Sequence, residues 1–88
     1  MAMDWTDELA AALDADAPSA GETDDLLHVA RDVAHTVERK ITPIATFLLG
    51  MSVQRRISEG VARGEAIANA IAALRATLPA ENADGGGE

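Results

Sequence analysis

Between residues 26 and 53 the chain reads LLHVARDVAHTVERKITPIATFLLGMSV, and the spacing of its apolar positions changes part-way along. Leu26, Leu27, Val29, Ala30, Val33, Ala34 and Val37 share one half of a helical wheel; His28, Arg31, Asp32, His35, Glu38 and Arg39 take the other. That separation predicts an amphipathic helix, capped by Thr23 with Asp24 and Asp25 in its first turn, running to about Arg39 or Lys40. Thr42-Pro43 then restarts the chain, because proline suits the first helical position, where its missing N–H would be unpaired anyway. The helix it opens, Pro43 to about Ile57, is different in kind. Ile44, Phe47, Leu48 and Met51 lie on one side and Leu49, Val53 and Ile57 on the other. A helix apolar nearly all round is expected to be buried on more than one face, so a central position or a subunit interface is predicted. Thr46 and Gly50, four apart, would admit a close helix neighbour.

Two weaker patterns flank this pair. Trp5, Leu9, Ala12 and Leu13 form an apolar stripe over Asp4 to about Asp14, with Asp4 as cap and Asp7 and Glu8 suiting the positive end of the helix dipole. Residues 16–21, DAPSAG, read as a loop. After a break at Ser58-Glu59-Gly60, a last helix starts between Val61 and Glu65. It ends near Thr77 or Leu78, with Ile67, Ile71, Leu74 and Leu78 as its buried row, and Pro79 stops it. The expected architecture is all-α: a small four-helix bundle, up-and-down, forming a single domain over residues 1–78. The polar, glycine-rich residues 79–88 are expected to be a disordered tail.

Composition narrows the chemistry. Aromatics are limited to Trp5 and Phe47, so a sheet is disfavoured, and the lack of cysteine removes disulfides, thiolate zinc sites and thiol catalysis. The longest apolar run, Ile44 to Val53, is about half of the ~20 residues a membrane span requires, and no signal-peptide pattern opens the chain. A cytoplasmic protein with no membrane partner is expected. The net charge of −8 is uneven: residues 1–25 hold eight acids and no base, whereas residues 26–78 carry +3. An acidic chain is repelled by phosphate backbones, so no nucleic-acid partner is expected. A chain of 88 residues makes a thin core, which favours a homodimer.

Candidate sites are few. His28, Asp32 and His35 share a helix face and could approach a metal ion, but one helix supplies too few ligands and no Glu-x-x-His pair supports them. Asp32 could orient His35 as a base, yet no nucleophile is placed to use it, so neither catalysis nor a cofactor is expected. Arg39-Lys40 and Arg55-Arg56 sit at helix C-termini, where cations complement the dipole. Phe47 and Met51, with Trp5, read first as core packing and second, together with Gly50, as a dimer or partner surface.

The acidic start with its Trp-containing helix, Leu26-Leu27, the segment ARDVAH at 30–35, Pro43 and the segment TFLxG at 46–50 also carry a resemblance. Over roughly residues 3–78 the chain resembles a small actinobacterial helical domain of unknown function. That domain is found alone or appended to molybdenum cofactor guanylyltransferase. The resemblance implies a setting, molybdenum cofactor (molybdopterin guanine dinucleotide) biosynthesis, and favours Arg31, Asp32 and His35 as a functional face; it supplies no catalytic residues. With no nucleotidyltransferase domain here, the expected function is a non-enzymatic accessory module. It would pair with itself and dock a molybdenum cofactor enzyme through Arg31, Asp32, His35 and Arg39. The alternative is a small-ligand or metal-binding bundle using the same face.

Overall fold

In the computed structural model, which describes residues 5–79, the chain is all-α, with four helices in order and no strand among the described residues. They are α1 (Trp5–Ala12), α2 (Ala20–Thr36), α3 (Thr42–Ser58) and α4 (Arg63–Thr77), with a 3₁₀ turn at Arg39–Ile41 between α2 and α3. The expected cap Asp4 and nearly all of the expected tail, residues 80–88, lie outside the described residues.

Helix α2 starts earlier than its pattern suggests. Ser19, not Thr23, is the N-cap: its Oγ accepts from the Glu22 N–H at 3.1 Å while Glu22 Oε1 accepts from the Ser19 N–H at 3.0 Å. This reciprocal box satisfies two donors at once, which a lone Thr23 hydroxyl could not. The helix also stops sooner, at Thr36, short of Arg39. Thr36 and Val37 are β-branched and poor helix formers, and Val37 leaves the helical region at φ −113°, ψ −82°. Glu38 is extended, and Arg39, Lys40 and Ile41 form the tight turn that feeds α3.

That turn changes the start of α3 as well. Ile41 is already right-handed helical (φ −82°, ψ −19°), so Thr42 is absorbed into the helix instead of capping it, and its hydroxyl is buried with no partner among the described residues. The break after α3 falls where expected, with the reason visible. Gly60 adopts φ +101°, its N–H donates to the Ile57 carbonyl (2.9 Å), and the Val61 N–H reaches the Arg56 carbonyl (3.0 Å). This paired closure needs a left-handed residue, which glycine supplies without a Cβ penalty. Asp14, at φ +57°, closes α1 in the same way, through Asp14 N–H to Ala11 O and Ala15 N–H to Ala10 O. At the far end Leu78 is extended, as the residue before Pro79 prefers, and α4 ends at Thr77.

The packed body is α2, α3 and α4. Its core is Val29 of α2, Leu49 of α3 and Ala70 of α4, flanked by Leu26, Val53, Ile71 and Leu74; Val33, Ala66 and Ile67 are also buried. Ala66 and Ala70, one turn apart, are the most deeply buried residues of α4, so its closest approach uses alanine methyls and not only the expected row of large side chains. α1 stands off: none of its residues is buried, and no Cα of it lies within 8 Å of another helix.

Candidate functional site

The polar face of α2 is only partly available. Asp32, half-buried, accepts from Arg75 Nη1 of α4, an ion pair that ties the two helices together. The Asp32 carbonyl receives the Thr36 hydroxyl at 2.8 Å. His28 donates from Nδ1 to the Asp24 carbonyl, one turn back on its own helix, at 2.8 Å. Arg31 and His35 are exposed on α2, and Arg39 is exposed on the 3₁₀ turn. Among the described residues no group of three or more His, Cys, Asp or Glu side chains could hold a metal ion.

A second polar cluster, absent from the sequence reading, is built around Arg63. Its Nη2 donates to Glu22 Oε1 (3.1 Å) and to the Ala17 carbonyl (3.3 Å), its Nε donates to Glu22 Oε2 (3.3 Å), and Asp16 lies 3.7 Å away. The Arg63 bond, then the Ser19 N–H, hold the Glu22 carboxyl below the ordinary carboxylate range. Arg63 therefore fastens the loop and, through the capping-box glutamate Glu22, the start of α2 to the start of α4. The Ser19-x-x-Glu22 spacing was the available signal for half of this arrangement.

The apolar surface is the larger feature. Helix α3 packs through Leu49, with Val53 and Ile57 half-buried beside it, whereas Ile44, Phe47, Leu48 and Met51 are 56%, 64%, 59% and 59% exposed. Core packing therefore does not describe Phe47 or Met51. Nor does it describe Gly50, which is exposed, with no heavy atom within 4 Å of the position a Cβ would take. Burial on both sides fails because α2 and α4 cover only one side of α3. Leu48 also borders an open apolar groove of about 390 Å³, whose walls include Val33, Val37, Ile41, Leu49 and Leu74. A second groove, about 750 Å³, runs along the opposite side of α3, past Thr46, Gly50, Val53 and Ile57, and is closed by the loop from Asp14 to Pro18.

A family model described as Domain of unknown function (DUF6457) matches residues 1–85. The chain belongs to that family. No curated protein and no solved structure matches it. Within this DUF6457 domain, then, a surface must be judged by its own physics. Isolated apolar residues on a surface are ordinary, but four on one helical stripe, continuous with an apolar groove, are not. No helix among the described residues is long and apolar enough to cross a membrane.

Proposed function

We propose that the domain is a non-enzymatic interaction module whose working surface is the outward face of α3 and whose occupant is a second copy of the chain. The observation that carries this reading is the exposure of Ile44, Phe47, Leu48 and Met51 beside a core of six buried hydrophobic residues, two of them the α4 alanines Ala66 and Ala70. Uncovering so much apolar surface in so small a body disfavours a lone domain, and pairing two copies about a twofold axis removes it from water. The two histidines do not add a competing chemistry: His28 is bonded to its own helix, and Asp32, which could have oriented His35, is engaged by Arg75.

In this reading the module is a cytoplasmic accessory to molybdenum cofactor biosynthesis, supported by the resemblance carried by residues 30–35 and 46–50. Arg31 and His35, exposed beside the Asp32–Arg75 pair, are the polar surface offered to an enzyme of that process. Sedimentation of the full chain tests the core of the proposal. The wild type is expected to associate, and Phe47→Asp to weaken association at least ~10-fold while retaining its helical circular dichroism. A wild type that stays monomeric at roughly 100 µM overturns the reading. Deletion of the gene should lower guanylylated cofactor in the cell; an unchanged level would remove the biosynthetic role.

A further inference from the structure

We propose that α1 is an exchange arm: in the paired form, the α1 of one copy lies across the outward α3 face of the other. This rests on the α3 reading above and names what covers that face.

The arm has an apolar side that packs on none of the other three helices. Trp5, Leu9 and Leu13 are 69%, 36% and 66% exposed, and the helix stands clear of α2, α3 and α4. Its stripe and that of α3, Ile44 to Met51, each extend over about two turns, or ~11 Å, so the two match in length.

Charge matches as well. Residues 5–15 carry Asp7, Glu8 and Asp14 with no base, while residues 39–58 carry Arg39, Lys40, Arg55 and Arg56 with no acid. The ion pairs that Lys40 and Arg55 make, to Glu38 and Glu59 at 3.6 Å, are exposed and weak, so they do not withhold those cations from an acidic arm. Acids crossing a helix bracketed by bases gain attraction in either direction of approach.

Geometry selects a second copy over the arm's own chain. Asp16 and Ala17 are held by Arg63, and the loop behind them walls the groove on the Thr46, Gly50 and Val53 side of α3. Ile44 and Leu48 of the outward stripe lie on the far side of that helix, with Phe47 and Met51 between. Leu13 to Ala15 span at most ~11 Å, about one helix diameter, which is too short to wrap α3 and still lay α1 along its outer face. A neighbouring copy meets no such restriction.

Trp5 is the chain's single tryptophan, so its emission reports directly on the arm. The experiment follows Trp5 emission and sedimentation together over concentration, for the wild type, Phe47→Asp and Trp5→Ala/Leu9→Ala. Expected are a blue shift that tracks association, its loss in Phe47→Asp, and association at least ~10-fold weaker in Trp5→Ala/Leu9→Ala. Mixing the two variants should restore association in part, since the mixed pair recovers one of the two arm–face contacts and neither variant alone has any. If Trp5→Ala/Leu9→Ala associates like the wild type while Phe47→Asp does not, the α3 faces pair directly. The arm proposal is then overturned and the α3 reading stands. Emission already blue-shifted at the lowest concentration, and unchanged in Phe47→Asp, would mean that the arm folds onto its own chain, which also overturns the proposal. A wild type that never associates overturns both.

Discussion

Leu49 and Met51 are two residues apart on α3, yet the fold assigns them opposite roles, so truncating each to alanine tests the phase of the helix. Leu49 is 5% exposed and belongs to the core with Val29 and Ala70; Met51 is 59% exposed. A buried Leu→Ala change costs about 2–5 kcal/mol, and the upper end applies where the surroundings cannot close over the cavity. Leu49 borders both grooves, so its neighbours face open space and the site can relax. The expected loss for Leu49→Ala is therefore ~2–3 kcal/mol, against a total of roughly 4–11 kcal/mol for a domain of this size. That corresponds to a fall in Tm of about 10–20 °C. Met51→Ala should cost at most ~0.5 kcal/mol under the same conditions. Urea titrations followed by circular dichroism measure both, at low protein concentration so that association does not add to the apparent stability. Equal losses for the two variants, or less than ~1 kcal/mol for Leu49→Ala, would show that α3 is rotated from the orientation described here.

Gly50→Ala should stabilise the fold by about 0.5–1 kcal/mol, since the position is a helix interior with open space around it; destabilisation in thermal melts would reveal an unseen neighbour. Because the Glu22 carboxyl is held below its ordinary value of 4.5, its bond to Arg63 supports the fold above that pH and is lost as pH falls through the lowered value. Glu22→Gln should accordingly melt lower than the wild type near neutrality, with the two Tm values converging in acid; a constant gap would contradict this. A double-mutant cycle on Asp32 and Arg75, each about two-fifths exposed, should give a coupling below ~1 kcal/mol that shrinks with added salt. A coupling that salt does not change would mean the pair is far better shielded than its exposure indicates. His35→Ala, on the solvent face, should alter stability by no more than ~0.5 kcal/mol, and a larger loss in a urea titration would place the ring against the body.

The helices were legible because their apolar periodicity is long and regular, most clearly in α2, where Val29 and Val33 are the buried pair and His35 and Arg31 face outward. Breaks were legible where one residue type has a unique conformational use, as with Gly60 after α3 and Pro79 after α4. Caps were less so. Thr23 followed by two aspartates is a reasonable start signal, but Ser19 wins because Glu22 answers it from three residues on and Arg63 holds Glu22 from another helix. That last contact spans 41 residues, and no local pattern encodes it. The same holds for Asp32, whose spacing from His35 suggested a functional pair but whose partner is Arg75.

The face of α3 is the instructive case. Its pattern predicts that both sides of the helix avoid water, but a single chain here supplies only one apolar layer, with α2 and α4 on the same side, and the other side stays exposed. The residues that could form the other layer, Trp5, Leu9 and Leu13, are in the sequence, yet α1 leaves them uncovered. An excess of apolar surface on α3 and another on α1, opposite in charge, is hard to maintain as two independent features in a chain this small. Each exposed stripe alone would favour non-specific association. Together they give each surface a complement of similar length and opposite charge. A twofold pairing then covers four stripes with two identical contacts.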